Sequence, residues 1–217
     1  MAQFTVKTNP DTDIWRKPPS ANAFNSTVHA LPEHTSQPLR NFQHARITVK
    51  ADWAAQYDQG GILLHLSKPG LKCHGCDFNQ PLKSSDHDQC KWLKTGIELY
   101  NGSTLISTVC CDNYADWSVL PVAATSTNLS EVTLELQREQ DKNGKSLWLY
   151  QILPDGSGSE KKVPLREVAW MFALDDEYSI GVGAYAARPA TKDDVASLGK
   201  RDGVLEVDVK GYVVDFA

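Results

Sequence analysis

Two strand-length arms joined by Asn101-Gly102 constrain this chain more than any other stretch, in the run KWLKTGIELYNGSTLISTVCC from Lys91 to Cys111. A type I′ turn needs positive φ at both central residues, and Asn-Gly adopts it at least cost, so the two arms are expected to be adjacent and antiparallel. In the first arm, alternation places Leu93, Thr95, Ile97 and Leu99 on one face and Trp92, Lys94, Gly96, Glu98 and Tyr100 on the other. The first set reads as core. The second interleaves two aromatics with an amine, a carboxylate and a glycine that lets another group approach the backbone, a composition that plain solvent exposure does not require.

The same period of two recurs along the chain. ARITVKADW sets Ile47, Val49, Ala51 and Trp53 against Arg46, Thr48, Lys50 and Asp52. EVTLELQRE sets Val132, Leu134 and Leu136 against a polar face, and DKNG turns it into KSLWLYQIL. Strands are also expected at Phe4 to Thr8, Thr12 to Lys17, GGILLHLS, EYSIGVGAYAARP and the closing GVLEVDVKGYVVDFA. LREVAWMFAL fits helical as well as strand spacing, and Thr191 can cap a short helix ending at Gly199. Many short strands with almost no helix predict an all-β sandwich, and 217 residues suit a single domain over 1–217. Residues 68–90, rich in turn formers, form a Cys/His-containing excursion between two strands.

A hydrophobic content of 41% with 23% charged residues is that of an ordinary globular chain. The net charge of −5, with scattered lysines and arginines, argues against a nucleic-acid partner. No apolar run approaches the ~20 residues of a spanning helix, so no membrane partner is expected. The first residues, MAQFTVKTNPDTD, lack the pattern of a secretory signal, which makes a cytoplasmic location the expectation. Five cysteines, an odd number, fit reduced thiols better than a disulfide framework.

Four segments carry a family resemblance: DQGGILLHL, WLKTGIELYNG, STVCCDNYADWSV and IGVGAYAARP resemble the fungal "regulation of enolase" family of uncharacterised domains. The most specific motifs are W-x-K-T-G-I-E from Trp92 and A-D-W-S from Ala115. The resemblance implies a concanavalin A-like jelly-roll β-sandwich of two curved antiparallel sheets, whose concave face binds carbohydrate in many relatives. It also implies regulation of a glycolytic enzyme by contact as one kind of partnership. Glucanases of this fold carry E-x-D-x-x-E on a central strand, whereas here Glu206-Val207-Asp208-Val209-Lys210 is followed by Gly211. The second glutamate is missing, so a retaining glucanase pair on that strand is not expected.

The candidate site therefore centres on Lys94 and Glu98, which project from one face with Gly96 between them. Read blandly they are an ion pair of little worth. Read functionally they are a donor and an acceptor for a polar ligand, with Trp92, Tyr100, Trp117 and Tyr185 as apolar platforms and Arg188 suited to an acidic group. Asp116, in a turn or strand start, either accepts backbone N–H groups or joins Glu98 as a second carboxylate, and His65 is the histidine best placed to act as acid or base, with a hydrogen-bonded structural histidine as the alternative. Cys73, Cys76, His87 and Cys90 have the only metal-like spacing, which could close a structural zinc site; no other cofactor is implied. The expected function is binding of a small polar, sugar-like ligand on the concave face. The alternative is a cofactor-independent isomerase, cyclase or lyase using Glu98, Lys94, Asp116 or His65.

Overall fold

The computed structural model describes residues 2–68, 90–123, 130–199 and 203–217. Within them the alternating runs pair into two large antiparallel sheets. One orders β1 (Ala2–Thr8), β15 (Leu205–Phe216), β6 (Phe42–Ala51), β11 (Glu131–Asp141), β12 (Gly144–Pro154) and β13 (Glu160–Val168). The other orders β10 (Ala115–Pro121), β9 (Ser103–Cys111), β8 (Lys91–Tyr100), β7 (Gln59–Ser67), β14 (Ser179–Ala187) and β4 (Thr27–His29), and β5 (Gln37–Pro38) also pairs with β14. A separate ribbon joins β2 (Ile14–Lys17) to β3 (Ala21–Phe24).

The inward residues of each sheet meet in one core. Ile47, Val49, Leu134, Leu136, Val207 and Val209 from the first sheet pack with Ile62, Leu64, Leu93, Ile97 and Val182 from the second. Each such side chain contributes roughly 1.5–3 kcal/mol when fully buried, so the period-two pattern dictates which face of each strand closes inward. The result is the all-β jelly-roll sandwich that the sequence predicts. The hairpin turn also forms as expected, with φ of 49° at Asn101 and 75° at Gly102.

Two stretches resolve ambiguities. LREVAWMFAL is strand only to Val168, after which Met171–Leu174 makes a 3-10 turn. Arg138 fixes that turn: it donates to both Asp175 carboxylate oxygens at 2.7 and 2.9 Å and to the Leu39 and Phe42 carbonyls, with its guanidinium 3.8 Å from the centre of the Phe172 ring. The closing stretch is a single strand with a register shift around Gly211, whose φ is 60°. Its alternation points Val207 and Val209 inward, leaving Glu206 to meet Lys7 and Asp208 to accept from Thr5 on the outer surface. Those carboxylates are thus on the other sheet from Lys94 and Glu98.

β7 and β8 approach unusually closely where Gly61 faces Gly96. A Cβ on Gly61 would overlap the Thr95 carbonyl oxygen, and one on Gly96 would overlap the Gly60 carbonyl oxygen. Both obstacles are backbone, which cannot swing aside as a flexible side chain can. Gly61→Ala should therefore destabilise the protein by more than about 3 kcal/mol, beyond ordinary overpacking, as a large drop in urea midpoint. A midpoint near that of the wild type would show that the strands can part without cost.

Candidate functional site

The outward face of β7, β8, β9 and β14 is not open. The β2–β3 ribbon lies on part of it, so Ile14 packs with Leu63, Trp92, Val109, Cys111 and Tyr185 in a second buried cluster. Phe24 of β3 meets Trp92 and His65 edge-on, with ring centroids 6.4 and 5.4 Å away. Beyond the ribbon a cavity of about 290 Å³ remains, with Asp13, Trp15, Tyr57, Gln59, Lys94, Glu98, Val109, Trp117 and Pro189 in its walls.

The cross-strand register brings the polar floor together. Gln59 is opposite Glu98, and Leu63 is opposite Lys94, with the Gly61 and Gly96 pair between them. The Lys94 ammonium donates to Gln59 Oε1 at 2.6 Å and lies 3.4 Å from Asp13 Oδ1. Gln59 Nε2 donates to Asp13 Oδ1 and to the Tyr57 carbonyl, both at 3.3 Å, so the amide bridges amine and carboxylate. At the other end the Trp117 indole N–H is 3.1 Å from both Glu98 Oε2 and Ser107 Oγ. Tyr100 closes the side behind, its ring 5.7 Å from Tyr57 and 5.1 Å from Trp117.

Burial shapes the charges. Lys94 is 3% exposed and Glu98 5%. Desolvation holds the Lys94 pKa below the ordinary lysine range, offset in part by Asp13 and Glu98. Desolvation likewise holds the Glu98 carboxyl above the ordinary carboxylate range, against the hydrogen bonds of Ser107 and Trp117 and the charge of Lys94. Both groups are thus biased toward their neutral forms.

A buried ion pair braces this cavity from behind. Arg188 Nε and Nη2 each donate to an Asp58 carboxylate oxygen at 2.7 Å, and Nη1 donates to the Gly203 carbonyl at 2.7 Å. Asp58 Oδ2 also accepts the Ala54 and Ala55 N–H groups at 2.9 Å, and the Arg188 N–H donates to Thr12 Oγ1 at 2.9 Å.

The structure gathers some of the expected residues and disperses others. Lys94, Glu98 and Trp117 line the cavity, and Tyr100 supports its wall. Trp92 and Tyr185 share the face but are each 1% exposed in the second cluster, because the ribbon covers that half. Arg188 serves Asp58 and not an incoming acidic group. His65 is fully buried against Phe24, which removes it from any cleft. Asp116 stands at the start of β10 and points to the opposite side from Trp117, where it accepts from Arg166 of β13 at 2.7 Å. It does not share a cleft with Glu98. Cys73, Cys76 and His87 lie outside the described residues. Cys90 is disulfide-bonded, which corrects the expectation of reduced thiols there. Cys110 and Cys111 are free and buried, each pKa pushed up to about 11 by desolvation. Asp13, Trp15, Tyr57, Gln59 and Pro189 were not expected in the site. The strand pattern from Thr12 to Lys17 announced a β-strand but not the sheet it would cover.

A family model described as "Protein of unknown function (DUF1349)" matches residues 1–200. The chain is 41% identical over 190 residues to "Uncharacterized protein AN7484" of Emericella nidulans, covering 88% of this chain and 79% of that protein. It is 25% identical over 150 residues to "Regulation of enolase protein 1" of Saccharomyces cerevisiae, covering 67% of this chain and 62% of that protein. The expected family resemblance is thereby borne out. A crystal structure of a functionally unknown Saccharomyces cerevisiae protein superposes with a TM-score of 0.60 at 18% identity, covering 100% of this chain and 92% of that one, which shows a shared fold. No helix among the described residues is long and apolar enough to cross a membrane.

The Glu98 environment has a consequence for stability. A carboxyl whose pKa is raised on folding costs stability whenever it is ionised, and the cost disappears as pH falls through its folded value toward its unfolded one. Glu98→Gln should therefore raise Tm at neutral pH, each kcal/mol gained reading as roughly 2–4 °C in a chain this long. The gain should shrink as the solution is acidified. A variant that melts below wild type at neutral pH would mean that the folded protein stabilises the ionised form.

Proposed function

We propose a ligand-binding function for this chain, which belongs to the DUF1349 family: the cavity beside the β2–β3 ribbon takes one small, polar, sugar-like molecule. The observation that carries this reading is the pairing of aromatic walls with a buried polar floor. Trp15, Tyr57 and Trp117 offer apolar surface to the C–H faces of a ring, while Gln59, Lys94, Glu98 and Asp13 offer donors and acceptors to its hydroxyls. At about 290 Å³ the cavity sits at the lower edge of the ~300–1,000 Å³ range of ligand sites, which suits a monosaccharide-sized guest. A binding protein of this kind fits a metabolic regulatory role, the kind of role named for the yeast relative.

A second reading, proton transfer by Glu98, is favoured by its raised pKa inside a cavity. Turnover with a bell-shaped pH dependence would mark that chemistry, and retention of an unchanged ligand marks binding.

The proposal is tested by purifying wild type and a Lys94→Ala, Glu98→Ala double variant from the same native extract and identifying co-purifying small molecules by mass spectrometry. A hydroxyl-rich compound should be enriched with wild type alone, by at least about tenfold. Equal recovery from both proteins, or enrichment of a purely apolar compound, would overturn the reading.

A further inference from the structure

Among the described residues, Glu98 is a buried carboxylate with no counter-ion in direct contact. Among the described residues it makes no ion pair, although Lys94 stands on the same face four residues away, because that ammonium is held by Gln59 and Asp13. What reaches Glu98 is neutral: the Trp117 indole N–H, with the Ser107 hydroxyl beside it. The cavity wall holds two carboxylates, Asp13 and Glu98, against one amine, Lys94, a formal balance of one negative charge. The nearby guanidinium groups are committed elsewhere. Arg188 is closed on Asp58, and Arg16 donates to Asn22 and to the Cys90 carbonyl. Three aromatic side chains complete the wall, and aromatic faces attract cations while repelling anions. A buried charge without a partner is unfavourable, and a ligand that supplies the partner removes that cost on binding.

We infer that the ligand of this cavity carries an amine, which seats as an ammonium against Glu98 between the rings of Trp15, Tyr57 and Trp117, and that phosphorylated or carboxylated analogues are rejected. This rests on the reading of the cavity as a site for a sugar-like molecule and specifies its chemical class as an amino sugar or an amine-bearing polyol of similar size. Lys94 and Asp13, from β8 and the segment before β2, and Tyr185 of β14 are the other titratable groups that act on Glu98. The ammonium must displace any proton on Glu98, so affinity rises with pH through the range where Glu98 ionises.

The test uses calorimetry on the full chain with sugars matched in ring and differing in charge: glucosamine, glucose and glucose 6-phosphate, and the same three forms of galactose. In at least one series the amine should bind about tenfold or more tightly than the neutral sugar, and the phosphate most weakly. Glu98→Gln should erase the preference for the amine. A neutral sugar that binds as well as its amine, or a phosphate that binds better, overturns the inference and leaves the sugar-binding reading standing. No binding by any of the six probes overturns both, and the ranking of the six probes by wild type decides the matter without the variant.

Discussion

The candidate site depends on the buried pair of Arg188 and Asp58, 1% and 0% exposed at their side chains. Removing two such charges from water is costly, and only the bidentate geometry with its added backbone bonds makes the arrangement tolerable. Breaking a pair of this kind costs about 3–5 kcal/mol, so the segments it joins are held firmly. Those segments, with the stretch at Thr12, supply four of the nine residues in the cavity wall. Tyr57 and Gln59 flank Asp58, Pro189 follows Arg188, and Asp13 follows the Thr12 that accepts from the Arg188 N–H. The cavity is therefore built one residue away from the ion pair on two stretches of chain, and one residue away from the Thr12 that the Arg188 N–H holds on a third. An exposed Arg188 could bind an acidic ligand; a buried one positions the groups that bind something else.

The face itself is divided by the ribbon. Its β2 and β3 strands turn half of a polar-aromatic surface into a small second core around Trp92, Leu63 and Tyr185. The other half stays open and keeps Lys94 and Glu98 in partial conflict with their surroundings. Lys94 resolves the conflict through Gln59 and Asp13, whereas Glu98 has only neutral donors. The pairing of Gly61 with Gly96 leaves the floor between these two groups free of side chains.

Local chemistry explains which features were legible in the sequence. The Asn101-Gly102 hairpin, the core faces of β6, β8 and β11 and the Thr191 helix cap all follow from residue types at fixed spacing, while the relation to the family rests on resemblance of whole segments. Lys94, Glu98 and Trp117 were legible for the same reason, since alternation alone placed the first two on one face. What alternation could not give was the long-range partner. His65 and Trp92 looked available until Phe24 of the ribbon covered them, and Asp116 looked close to Glu98 until its strand turned it toward Arg166. Asp13 and Gln59 carried no local signal, because their role comes from contacts across 46 and 81 positions of sequence.

The account stands on Glu98 being a buried carboxylate with no ionic partner in contact among the described residues, and the Trp117 indole N–H, 3.1 Å from it, reports its charge directly. Following that nitrogen-bound proton resonance through a pH titration of the free protein measures the central claim. The resonance should move with a midpoint above the ordinary carboxylate range. A midpoint at or below that range, or no movement at all, would show that Glu98 is already compensated and would contradict the account.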